Sequence, residues 1–221
     1  GSPLSPLLSN IMLHELAKHL EQLGMRYVRY ADDFSIYCRK HQEARKTEHV
    51  IGLFLKNKLR LTVNEDKSGI RKPVHFGILG YRFTPVFEKG VKGKYQLIVG
   101  DKGWRRLKEN LKLLTRKTAP QSLPVRLTKL KEVQRGWLNY YRLANVHGKL
   151  KDIDGWLRNR LRYCIWHDWK KQDRRRKNLI RLGVPPKQAQ GWSRTRMGGW
   201  AVAQSPILVT TITLSRLAKR G

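Results

Sequence analysis

Acidic residues are scarce in this chain of 221: Asp and Glu number 16 against 47 Lys and Arg, a formal net charge of +31 at pH 7. A surface that basic repels itself unless it lies against a polyanion. Nucleic acid fits best and an anionic membrane second, because seven tryptophans and eight tyrosines offer faces on which bases stack. Cysteine is almost absent too. Cys38 and Cys164 are far apart, share no metal-ligand spacing and sit in apolar contexts, which reads as buried free thiols in a reducing compartment. His14, His75 and His147 have no Cys, His or acidic partner at ligand spacing. No apolar run approaches a membrane span, and residues 1–13 lack the basic start and cleavage pattern of a signal peptide. Internal repeats are missing as well.

Ser5-Pro6 supplies a cap and first turn for a helix in which Leu4, Leu7, Leu8, Ile11, Leu16, Leu20 and Leu23 follow helical spacing, up to Gly24. Met25, Tyr27 and Arg29 then alternate with Arg26, Val28 and Tyr30, and Phe34, Ile36 and Cys38 continue the period. That predicts two strands joined by a tight turn carrying Asp32 and Asp33. A second helix is predicted from Gln42 to Lys58, followed by a short strand at Leu59, Leu61 and Val63 and a polar turn at Asn64–Lys67. Phe76, Ile78, Tyr81 and Phe83, interrupted by Gly77 and Gly80, precede a hairpin loop over Glu88–Lys94 and a strand at Tyr95–Val99. The first hundred residues thus read as one sheet layered with helices.

Composition shifts after Gly100, and roughly two basic residues in three lie beyond it. Asp101 is read as the cap of a helix bearing Trp104, Leu107, Leu111 and Leu114. Ser122 caps the next, with Leu127, Leu130, Val133, Trp137 and Tyr141. A third runs from about Asp152 to near Gln172 and ends in the basic run Arg174-Arg175-Arg176-Lys177. Past Ser205-Pro206 the β-branched run Ile207 to Thr213 favours strand, yet the Ser-Pro start favours a helix, and a helix is the reading adopted. The fold class expected is α+β: an antiparallel sheet with helices over 1–100, an all-α bundle over 101–175 and a basic extension over 176–221.

Asp32 and Asp33 are the first candidate site. Adjacent carboxylates between β-branched and aromatic flanks repel unless a cation lies between them, and hard carboxylate oxygens suit Mg²⁺. A plain hairpin whose turn happens to be Asp-Asp is the other reading, because Asp is a common turn residue. The pair alone leaves both open. Candidate phosphate contacts are Arg105, Arg106, Lys108, Arg135, Arg158, Arg160, Arg174, Arg175, Arg176, Lys177, Arg194 and Arg196, since guanidinium forks match phosphate oxygens. Trp104, Trp137, Tyr141 and Trp156 fall at helical core spacing and are read as packing residues rather than base-stacking ones.

Tyr30-Ala31-Asp32-Asp33 resembles the signature of reverse transcriptases, and its neighbours sharpen the resemblance. Pro3 to Ile11 is similar to a motif of group II intron and retron-type enzymes, and Leu59 to Ile70 to their Asn- and Lys-containing motif. Phe76 to Phe83 is similar to the primer grip. Arg135-Gly136-Trp137-Leu138-Asn139-Tyr140-Tyr141 resembles the thumb, or X domain, of group II intron maturases and speaks for the intron group over retrons. The resemblance implies a partial polymerase palm followed by a helical thumb. It gives Asp32 and Asp33 to Mg²⁺ and Lys67 to the triphosphate. Ser5, Pro6, Asn10, Tyr30 and Ala31 go to nucleotide and template, and Phe76, Leu79, Gly80 and Tyr81 to the primer grip.

The partners implied are intron RNA, an RNA template with a DNA primer, and dNTPs, in a bacterial cytoplasm or nucleoid-associated ribonucleoprotein. The family's fingers and its other palm aspartate have no counterpart here, and the opening inside a motif points to a piece of a longer protein. Mg²⁺ is accordingly expected to bind weakly or not at all, and the chain to bind RNA without polymerising. No HNH-like segment is seen, so no DNA endonuclease is expected. A non-enzymatic splicing factor and a retron or other cellular reverse transcriptase stay as alternatives.

Overall fold

The computed structural model describes residues 4–86 and 95–218. The loop expected over Glu88–Lys94 lies outside the described residues. The chain divides into two compact units, 1–72 and 73–221. The division does not fall near residue 101, where composition shifts: the strands before that point belong with the helices after it.

In the first unit, α1 (Ser5–Gln22) and α2 (His41–Asn57) bracket a two-stranded antiparallel ribbon of β1 (Arg26–Tyr30) and β2 (Asp33–Tyr37). Leu13, Leu16 and Leu20 meet Ile51 and Leu55 in a core that Tyr27, Phe34 and Ile36 cover from the ribbon. Fully burying a leucine here contributes about 1.5–3 kcal/mol. The apolar spacing of α1 therefore serves two environments, because Leu4, Leu7, Leu8 and Ile11 are exposed. Ser5 is the first helical residue rather than the cap, a position taken by Leu4. Residues 59–63 form no strand; Leu59 and Leu61 instead drop onto the α1–α2 core as irregular chain. The single sheet read over the first hundred residues becomes two small ones.

In the second unit a 3₁₀ turn (Pro73–His75) leads into the antiparallel meander β3 (Gly77–Ile78), β4 (Tyr81–Pro85) and β5 (Tyr95–Val99). Helix α3 (Asp101–Leu114) follows, with Gly100 as its cap. The Asp101 carboxylate accepts from Arg82 Nη1 at 3.2 Å instead of capping. Then come α4 (Leu123–Tyr140) and α5 (His147–Asp168), which starts earlier than the apolar spacing indicated. The basic run does not end α5 but lies inside a separate helix, α6 (Gln172–Arg181). Four short helices complete the described chain: α7 (Pro186–Ser193), α8 (Gly199–Gln204), α9 (Pro206–Val209) and α10 (Leu214–Ala218). The Thr-rich stretch is not a strand: α9 ends at Val209, and Thr210 and Thr211 turn the chain toward α10, each donating its hydroxyl to the carbonyl four residues back at 2.6 Å.

Two helical cores share α5. Its Leu157 and Leu161 pack with Leu107, Leu111 and Leu130. Its Ile165 and Trp166 pack with Leu179, Val202, Leu208 and Ile212. The residues after 175 are therefore built into a core rather than appended as an extension.

Candidate active site and nucleic-acid interface

The β1–β2 ladder closes at Tyr30↔Asp33, leaving Ala31 and Asp32 as a two-residue loop. Such loops need a left-handed residue to match strand twist, and Ala31 supplies it with φ 52°. Asp32 thus stands in the loop and Asp33 is the first residue of β2, both exposed. Arg29 lies on the inward phase of β1. Its Nη1 donates to Asn10 Oδ1 and to the Ala31 carbonyl, both at 3.2 Å, fastening the loop backbone to α1. Asn10 and Ala31 are therefore brought together. The sequence placed Arg29 in the inward series with Met25 and Tyr27 but gave it no role.

Ser5 and Tyr30 are exposed, and the Pro6 side chain lies outside what the structure describes. Lys67 is exposed in a turn, where its amide donates to Asn64 Oδ1 at 3.2 Å. Among the described residues no hydrogen bond or ion pair joins it to either aspartate. By donor type the aspartates fit Mg²⁺. By number they fall short, because no group of three or more His, Cys, Asp or Glu comes together among the described residues.

The residues expected to form the primer grip are organised more tightly. Leu79 (φ 52°) and Gly80 (φ 79°) form the two-residue loop between β3 and β4. The Tyr140 hydroxyl donates to the Leu79 carbonyl at 3.0 Å, and the Tyr81 hydroxyl donates to the Tyr140 carbonyl. Tyr141, buried, sets its hydroxyl against both Gly80 and Gly103, where an added Cβ would stand 2.6 Å and 2.7 Å away. Trp137 donates Nε1–H to the Gly103 carbonyl at 3.2 Å, and its ring lies 4.7 Å from that of Trp104. Phe76 stacks on Phe83 with centroids 6.0 Å apart. Burial pushes the Tyr81 and Tyr141 hydroxyls above the ordinary tyrosine range, with neighbouring tyrosine hydroxyls adding to the effect. The rings at core spacing do pack: Trp104, Trp137 and Trp156 cover the α3–α4–α5 core.

The basic candidates separate by exposure. Arg105, Arg106, Lys108, Arg135, Arg174, Lys177, Arg194 and Arg196 are exposed, with Lys108 Nζ 5.4 Å over the Trp156 ring. Others have internal work. Arg158 pairs with Asp154 at 3.1 Å. Half-buried Arg160 donates Nε–H to Thr115 Oγ1 at 2.6 Å and Nη2–H to the Thr115 carbonyl at 2.9 Å, closing the C-terminus of α3. Arg175 donates to the Trp169 carbonyl and lies 4.5 Å over Trp166, and Arg176 is half-buried. Two buried arginines escaped notice. Arg126, at 2% exposure, donates to the carbonyls of Arg116 and Ala119, and Arg162 to that of Ile212. Their positions in phase with Leu123, Leu130 and Ile165 marked them as inward-facing.

Residues 1–83 match the family model of reverse transcriptase (RNA-dependent DNA polymerase), and residues 104–183 match that of the group II intron maturase-specific domain. The chain belongs to the group II intron reverse transcriptase and maturase family. No curated protein matches it. The reverse transcriptase match takes in the Asp32-Asp33 loop and the Leu79-Gly80 loop, and the maturase match takes in most of α3 and all of α4, α5 and α6. Residues after 183 fall outside both matches, yet they complete the second helical core. No helix of the described residues is long and apolar enough to cross a membrane.

Proposed function

We propose that this chain holds group II intron RNA on the exposed cations of its helices, and that its Asp32-Asp33 loop is part of a polymerase metal site. The observation that carries the reading is the separation of the arginines by exposure. Arg105, Arg106, Lys108 and Arg135 keep their charge in solvent within or beside the maturase match, while neighbours such as Arg160 are tied into the fold. Exposed guanidinium groups bind phosphate and release condensed counterions, so affinity should fall steeply with salt.

Asp32 and Asp33 are the residues that would hold Mg²⁺, which when bound supplies activation of a primer 3′-hydroxyl and charge neutralisation at the departing pyrophosphate. Asn10, held to the loop by Arg29, lies beside that end of the ribbon, where dNTP and template are expected. Lys67 is assigned to the triphosphate as a charge stabiliser. The whole activity is copying of an RNA template from a DNA primer, together with assistance to splicing, in a cytoplasmic ribonucleoprotein. With only two carboxylates gathered among the described residues, the chain by itself is expected to bind RNA and not to polymerise. The same shortfall favours a second reading, a non-enzymatic splicing factor whose palm is a scaffold.

Titration of a transcribed group II intron RNA with wild type and with the triple variant Arg105→Ala/Arg106→Ala/Arg135→Ala, across a salt series, tests the RNA reading. The variant should lose affinity and flatten the log–log salt slope by about one for each phosphate contact removed. Identical slopes would sink the assignment. Primer extension separates the two readings: robust synthesis by the 221-residue chain excludes the scaffold reading and the expectation of inactivity.

A further inference from the structure

The β3–β4 hairpin is too slight to hold its own shape. β3 has two residues, and two register pairs connect it to β4. An isolated hairpin of this size is marginal in water. Its loop also places two consecutive residues at positive φ, one of them Leu79, where a side chain costs about 1–2 kcal/mol. Order has to come from outside the hairpin, and the structure shows where it comes from.

β5 holds β4 along five register pairs, and the loop itself is held by the C-terminal end of α4. The Tyr140 hydroxyl donates to the Leu79 carbonyl and the Tyr81 hydroxyl donates to the Tyr140 carbonyl, so helix and hairpin each give the other one bond. Tyr141 fills the space over Gly80 and Gly103. The Gly100 amide donates to the Gly80 carbonyl at 2.8 Å, and Asn145, just past α4, donates its amide to the Leu97 carbonyl on β5 at 2.8 Å. The same end of α4 carries exposed cations. Arg135 lies one turn before Tyr140, and exposed Arg142 follows Tyr141 directly. Arg142 and the exposed Arg106 are within electrostatic reach of Tyr81 and Tyr141 respectively.

We infer that Tyr140 and Tyr141 are positioning residues for the Leu79-Gly80 loop, and that RNA held beside the end of α4 rigidifies this loop through them. The inference rests on the RNA-binding reading. It makes the primer-grip loop responsive to RNA that the loop itself does not touch. Binding that steadies α4 steadies the carbonyl and hydroxyl to which the loop is bonded, which is coupling through order rather than displacement.

Hydrogen exchange of the 221-residue chain, read on peptides covering 76–84 with and without a transcribed group II intron RNA, tests it. In wild type the RNA should slow exchange at 79–82. Tyr140→Phe keeps the ring and should keep RNA affinity within about twofold, while exchange at 79–82 rises by roughly tenfold, the equivalent of one hydrogen bond. RNA should then no longer restore protection. Tyr81→Phe, which removes the bond to the Tyr140 carbonyl, should also raise exchange at 79–82 and remove the RNA-dependent protection there. If RNA still protects the loop in both variants, it touches the loop directly and the coupling is overturned. The coupling is equally overturned if RNA binds wild type and leaves the loop unchanged. Failure to bind RNA would remove the RNA-binding reading and the coupling with it. The free-protein comparison would still decide the positioning role, which unchanged exchange in Tyr140→Phe overturns.

Discussion

The hydroxyl of Tyr141 occupies the place a side chain on Gly80 would need: a Cβ there would lie 2.6 Å from the phenolic oxygen. Gly80 also sits at φ 79°, so two separate obstacles meet at one residue. Gly80→Ala should destabilise the second unit by about 2–4 kcal/mol, from left-handed strain together with overpacking. Tyr141→Phe removes the obstructing oxygen, so Gly80→Ala should cost less in that background, with a coupling of about 1 kcal/mol. Denaturant melts of the four proteins measure this, and strictly additive losses would contradict the packing relationship.

Arg160 and Arg105 should behave as opposites. Arg160→Ala strips hydrogen bonds from the Lys112 and Thr115 carbonyls and from the Thr115 hydroxyl, at a cost of about 2–3 kcal/mol in stability. Arg105→Ala removes an exposed side chain and should leave the melting transition within about 0.5 kcal/mol of wild type while lowering RNA affinity. A thermal melt beside an RNA titration separates the two; reversed effects would overturn the division of labour among the arginines.

High pH should loosen the second unit. Folding holds Tyr81 and Tyr141 protonated above the usual tyrosine pKa of about 10. Their contribution is complete below that value and is lost as pH climbs from it through the raised folded values, because the unfolded chain releases those protons first. Stability followed by denaturation from pH 8 to pH 11 should decline from about pH 10, and Tyr81→Phe/Tyr141→Phe should shallow the decline. An unchanged slope in the double variant would refute the linkage.

Along α1, identical residues should give different answers. Leu16 is fully buried and Leu8 is 62% exposed. Leu16→Ala should cost about 2–5 kcal/mol and Leu8→Ala less than about 0.5 kcal/mol. Equal costs in a urea melt would mean that the exposed half of α1 is covered in solution.

Most element types were legible from the sequence because the apolar period is a local signal, as in α2 and in the β1–β2 hairpin. The misreadings share a cause: tertiary contacts decided between local options. Leu59, Leu61 and Val63 alternate like a strand, but no partner strand lies beside them among the described residues, and the first two pack on a helical core. The Leu79-Gly80 loop was read as an interruption, when adjacent left-handed residues made it a hairpin end. At the candidate site the aspartates were readable as a motif. Arg29 and Tyr140 were not singled out, since each acts on a carbonyl distant in sequence or hidden by register, and nothing in spacing marks an acceptor.

Helix α5 joins the two helical cores of the second unit as one continuous rod. A protein cut after Gly183, where the maturase-specific match stops, would retain the rod and discard its covering. Ile165 and Trp166 would lose Val202, Leu208 and Ile212 as neighbours, and Arg162 would lose the carbonyl of Ile212 to which it donates. Such a truncate would expose an apolar flank of α5 and leave the Arg162 guanidinium without its carbonyl partner. The border drawn by family resemblance therefore falls inside the second helical core.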